Sequence, residues 1–125
     1  MRPGMSQWLL ALFFVTAGVL HFVFPASYVS IMPPWLSWHA ALVAVSGACE
    51  IAGGLGVLVV WTRQFAGIGL IALSLAVLPA NVQMLLNAHA ADASSWWQAL
   101  LVVRLPLQFL LIYWIWRATR PPTVG

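Results

Sequence analysis

The 125-residue chain is 63% apolar and carries two acidic and five basic side chains, with a mean hydropathy of +0.98. Only 6% of its residues are charged, against about a quarter in soluble domains, so the composition excludes an ordinary hydrated globule and reads as one integral-membrane domain. All the basic residues are arginines, and most lie at the ends of apolar runs, so the net charge of +3 reports topology and argues against nucleic-acid binding. The lone Cys49 excludes an intramolecular disulfide and a Cys-x-x-Cys pair, and reads as a small buried hydrophobe.

Residues 8–24 form the first apolar run, close to the shortest length of about 17 residues that spans a bilayer. No small-residue cleavage site precedes Phe24-Pro25, which favours a retained helix over a signal peptide. His21 sits one turn from its end, with Ala17 and Gly18 on the same face. Residues 25–38 carry Pro25, Tyr28, Pro33, Pro34, Trp35 and Trp38, too interrupted to span but rich in headgroup-level aromatics, and are predicted to form an interfacial lid.

Residues 39–61 form the second predicted spanning helix, with Glu50 at its centre. An ionisable group at that depth costs roughly 2.5–3.5 kcal/mol unless it faces inward and finds a partner. Arg104 carries the only opposite charge at comparable depth, so a Glu50–Arg104 pair is expected. Ala48, Ala52 and Gly56 form a small-xxx-small row for close helix packing, and Ser46, Gly47, Gly53 and Gly54 keep bulk away from Glu50.

Thr62-Arg63-Gln64 reads as a turn, and residues 65–86 as the third helix, kinked by Pro79 next to Asn81, with Ser74 on the same face. Residues 87–95, with His89 and Asp92, read as a polar connection; His39 and His89 are assigned to the surface. Residues 96–116 form the fourth helix, with Arg104 and Gln108 on one face and Pro106 between them, before a short basic tail. Arg2, Arg63, Arg117 and Arg120 all fall in the head, the second connection and the tail, which predicts cytoplasmic termini and a lid on the opposite side.

Counting about 1.5 Å per residue from the lid side places His21 about 5 Å deep, Asn81 about 7, Arg104 about 12, Glu50 about 16 and Gln108 about 18. In an all-α four-helix membrane bundle these side chains turn inward as one polar cluster. Two readings stand beside each other: a Glu50–Arg104 pair that only fixes helix register, or a ligand and proton site with His21 and Glu50 as its acid and base. The three further polar groups at adjoining depth favour the second. Met84, and Trp35 and Trp97 near the mouth, are candidate ligand contacts. His21, Met32 and Met84 could suit copper or a haem axial pair, but show no diagnostic ligand spacing, so no metal site is assigned.

Several stretches resemble the DoxX family of small four-helix membrane proteins: His21-Phe22-x-x-Pro25, Tyr28-x-x-Ile31-x-Pro33-Pro34, Ser46-Gly47-x-x-Glu50-x-x-Gly53-Gly54, Thr62-Arg63, Pro79-Ala80-Asn81-x-x-Met84 and Arg104-Leu105-Pro106-x-Gln108. The resemblance covers nearly the whole chain in order. It implies a bacterial inner-membrane protein associated with redox complexes, since the family takes its name from a subunit of an archaeal thiosulfate:quinone oxidoreductase. It also implies that His21, Glu50, Asn81, Arg104 and Gln108 carry any shared function. Other relatives are linked to thiol stress or act as maturation factors, and the absence of a cysteine pair here argues against thiol exchange by this chain.

The expectation is a protein that holds a quinone or similar lipophilic carrier among its helices, electrons arriving from a partner in a membrane redox complex. Its enzymatic form is a quinone-linked oxidoreductase subunit. The alternative is a non-catalytic assembly factor that docks a larger membrane partner or a second copy through its small-residue rows. A carrier of a small polar solute is a third reading, for which four helices leave little room without oligomerisation.

Overall fold

The long apolar runs form helices, which satisfy their backbone groups internally and carry isolated polar residues such as Glu50 and Arg104 within them. In the computed structural model, which describes residues 2–30, 32 and 34–121, these are α1 (Met5–Val23), α2 (Pro25–Ser30), α3 (His39–Leu58), α4 (Arg63–Ala76), α5 (Leu78–Ala90) and α6 (Ser95–Thr119). The described residues contain no strand. Taken as one segment, α4 and α5 make a fourth helix, beside α1, α3 and α6, long and apolar enough to cross a membrane. Ile31 and Pro33 of the predicted lid, and residues 122–125 of the tail, lie outside the described residues.

The helix ends differ from expectation for local reasons. The third helix does not merely kink: it breaks at Val77, two residues before Pro79, which has no N–H for the carbonyl of Leu75. The connection after it shrinks to residues 91–94, because Asp92 takes a left-handed conformation (φ 54°) and closes a Schellman turn. There the amide of Ala93 donates to the Ala88 carbonyl at 2.9 Å and that of Asp92 to His89 at 3.1 Å. The α3–α4 turn is tied by the Thr62 hydroxyl, which donates to Gly56 at 2.7 Å, and by Arg63 Nε, which donates to Val57 at 2.8 Å.

α1 and α3 pack antiparallel and closest, at Gly18 and Gly47. A Cβ on Gly18 would lie 2.5 Å from the Gly47 carbonyl and 2.6 Å from Ile51, and one on Gly47 would lie 2.8 Å from His21 Cβ. The buried face of α3 is Val43, Gly47, Glu50, Gly54 and Val57. The expected row Ala48, Ala52 and Gly56 is therefore not this interface. Ala52 and Gly56, together with Cys49, line an open groove against α4. Cys49 is exposed there and is not a buried hydrophobe.

Leu10, Phe14, Val57, Leu70 and Ile115 form the core, all toward the end where the arginines of the termini and of the α3–α4 turn gather. Gln7 closes that end, its Nε2 donating to the Ala118 carbonyl of α6 at 2.8 Å. At the other end, polar side chains replace the apolar core. α3 begins eight residues, about 12 Å, before the level of Gly47, so it overshoots the end of α1, and α2 packs into the step.

Gly18→Ala is expected to lower stability by about 1–3 kcal/mol through separation of α1 and α3. Gly69→Ala, whose Cβ would meet nothing within 4 Å, should be neutral or stabilising by up to about 1 kcal/mol. Thermal unfolding of the two variants in detergent checks both signs.

Candidate functional site

Glu50 projects from the glycine-flanked face of α3 toward the last turn of α1. Gly47 makes this possible, since any side chain there would strike His21. His21 is 8% exposed, and its Nδ1 lies 2.8 Å from the Ala17 carbonyl and 3.3 Å from Glu50 Oε2. A carbonyl only accepts, so that nitrogen carries its proton toward Ala17. Glu50 is likewise 8% exposed, and its Oε2 is buried without a hydrogen-bond donor among the described residues. Leaving a buried polar atom unpaired costs about 1–3 kcal/mol, so this oxygen needs a donor from elsewhere.

Tyr28 of α2 stacks on the His21 ring, with centroids 4.0 Å apart and planes 18° from parallel. Burial, and next the Glu50 charge, push its phenol above the usual value of 10.0, while Arg104 pulls the other way. The hydroxyl therefore remains a donor at neutral pH.

On the facing side, the break at Val77 orients two buried groups. Asn81, one turn into α5, is 6% exposed and donates from Nδ2 to Gln108 Oε1 at a long 3.4 Å. Gln108 Nε2 in turn donates at 3.1 Å to the carbonyl of Ser74, in the last turn before the break. Gln108 thus acts as a brace that holds Asn81 and the broken helix to α6, and it is not among the residues that line the cavity.

That cavity lies between α1, α2, α3, α5 and α6, with His21, Tyr28, Glu50, Asn81 and Arg104 on its wall beside Met32 and Ser46. The cavity is small, about 90 Å³, and opens partly to the outside.

The expected Glu50–Arg104 ion pair is not formed among the described residues; the ionisable partner of Glu50 is His21. Arg104 is exposed at the cavity's mouth, where its Nη1 donates to Met84 Sδ at 3.5 Å. The depth count misses this because it carries no information on the angle at which a residue leaves its helix.

Met84 lies beside Arg104 at the mouth, away from the inner cavity that Met32 lines, so the three residues of the copper or haem reading do not gather at one point. Trp35 is 72% exposed and absent from the wall, and Trp97 packs edge-on against Trp96 instead. Both tryptophans were expected at the mouth, and neither is there. Tyr28 was missed as a site residue: its place two turns after His21 across Pro25 could have suggested the stack, had residues 25–30 been read as a helix.

His21→Ala is expected to cost about 1–3 kcal/mol, because it empties the buried space that the ring fills between α1, α3 and Tyr28. Arg104→Ala should stay within about 0.5 kcal/mol, as an exposed group away from the core. Denaturant unfolding that gave the reverse order would restore the Glu50–Arg104 pair.

No curated protein and no solved structure matches the chain. A family model matches residues 10–119, from the core end of α1 to the last residue of α6. The chain belongs to the family described as Domain of unknown function (DUF8561).

Proposed function

We propose that the chain is a multi-pass protein of the bacterial inner membrane that binds a quinone or similar small lipophilic carrier in the cavity around Glu50. The observation that carries this reading is the buried, donorless Oε2 of Glu50 on the wall of a cavity that also presents the donors of Asn81 and Arg104. A group used only to fix helix register has its hydrogen bonds satisfied by the neighbouring helix. This one is left for a ligand, and the mixture of an acceptor with facing donors suits a ring whose oxygens are carbonyl acceptors when oxidised and hydroxyl donors when reduced.

The arginines at positions 2, 63, 117 and 120 favour cytoplasmic termini, with the cavity opening to the periplasm. α2 then lies over the site as an interfacial lid, held by the Tyr28 stack and by Asn87, whose Nδ2 donates to the Ser30 carbonyl at 3.2 Å. The resemblance to the DoxX family points the same way, toward a redox complex whose partner protein delivers electrons.

A quinone supplies two-electron, two-proton redox chemistry when bound. The residues here divide the remaining work. Asn81 and Arg104 would orient a carbonyl oxygen from the α5–α6 side, and Glu50, protonated, would give its proton to the ring oxygen on the α3 side as the partner's electrons arrive. His21, hydrogen-bonded through Nδ1 to Ala17, leaves its Nε2 to take up the replacement proton, and Tyr28 fixes the plane of its ring.

Organic extraction of the protein purified in mild detergent, followed by mass spectrometry, is expected to yield a quinone at near-stoichiometric amount, reduced at least about tenfold in Glu50→Gln and Arg104→Ala. An extract free of carrier, or one equally loaded in both variants, would overturn the reading and leave a non-catalytic assembly factor.

A further inference from the structure

The polar cavity shares wall residues with a neighbouring space that the binding reading leaves unused. Tyr28 and Arg104, at its mouth, also belong to the wall of a neck formed by Leu20, Phe24, Ser27 and Met84, between the end of α1, α2 and α5. Leu20 in turn belongs to the wall of a third space, a furrow along α1 lined by Leu9, Leu12, Phe13 and Thr16, with Trp114 of α6 as its far side. The three spaces therefore share walls in sequence: cavity, neck, furrow.

Their chemistry changes along that sequence. The cavity holds the ionisable groups, the neck has the single guanidinium of Arg104, and the furrow has only the Thr16 hydroxyl among its side chains apart from the Trp114 indole. From Leu20 to Leu9 the furrow follows 11 residues of α1, a rise of about 16 Å. It runs down the antiparallel seam of α1 and α6, toward the end that Gln7 and Ala118 tie together.

We infer that the ligand of the polar cavity carries one long hydrocarbon tail, which passes Arg104 through the neck and lies in the α1–α6 furrow. This rests on the reading of the cavity as a ligand site and adds to it the ligand's class, a single-tailed amphiphile, and the tail's path. The shared walls carry the assignment: a groove that begins beside the neck of a polar site gives the apolar part of the same ligand a place to pack against the protein in exchange for lipid. The exposed Arg104 has a matching role. Its guanidinium meets the polar end of the ligand at the junction, and its methylene stem lies along the tail.

The test uses the full chain in detergent with two probes, a dimethoxy-methyl-benzoquinone without a tail and the same headgroup with a decyl tail. Trp is placed in the furrow at two exposed positions, Thr16→Trp and Leu12→Trp, away from every polar wall residue of the cavity. The decyl quinone should bind both variants at least about tenfold more weakly than it binds the unaltered chain, and the tailless quinone within about twofold.

Unchanged affinity for the decyl quinone in both variants would overturn the tail path, as would an equal loss for both probes. A change in oligomeric state in Thr16→Trp with the decyl quinone unaffected would make the furrow a contact between copies and also overturn it. If the unaltered chain binds neither probe, the cavity reading itself fails, and the tail path falls with it.

Discussion

The structure depends on the burial of one carboxyl group in a helix bundle. Glu50 can occupy the inner face of α3 because Gly47 and Gly54, one turn to either side, remove the bulk that would hold α1 away. The same absence of side chains lets Gly18 meet the Gly47 carbonyl, so the tightest helix contact and the buried acid come from one sequence feature. His21 then falls within 3.3 Å of Glu50, but its Nδ1–H donates to the Ala17 carbonyl, and the acid is left with an oxygen that no described residue satisfies. A fold that tolerates this arrangement forgoes stability at one point, which is the expected mark of a functional group.

The bundle divides along its axis to accommodate that point. One end has the interdigitated core of Leu10, Phe14, Val57, Leu70 and Ile115 and carries the rigidity. The other end has the short α2, the break at Val77 and the brace from Gln108 to Ser74, which together keep a cavity open where a core would otherwise form. Pro79 is central to this half. It leaves the Leu75 carbonyl without its helical donor, next to the Ser74 carbonyl that Gln108 braces, and Asn81 follows on the wall of the site.

The four long helices could be read in the sequence because hydropathy integrates over some twenty residues and is insensitive to detail. The convergence of His21, Glu50, Asn81 and Arg104 was legible too, since polar groups in apolar runs must face inward. Their exact depths were not. Asn81 was counted from a helix end at residue 86, whereas α5 runs to Ala90, which puts it about 14 Å from that end and level with Arg104. His21 was counted as shallow, but α3 overshoots α1 and α2 fills the step, so the histidine lies deep beside Glu50.

Pairing was the least legible property. Charge alone matched Glu50 with Arg104, while the outcome was decided by the azimuth of each side chain and by glycines that set which helices touch. Trp35 and Trp97 failed for a related reason: a tryptophan near a helix end is as well placed outward as inward.

The central claim is that Glu50 faces a ligand and does not merely hold the helices in register. The most direct measurement is the infrared difference spectrum of the protein with and without added quinol, with the carboxyl band of Glu50 assigned by its loss in Glu50→Gln. The account predicts that this band shifts when the quinol binds, because a ring hydroxyl donates to the donorless oxygen. A Glu50 band unchanged by bound quinol would contradict it and make the carboxyl a structural group.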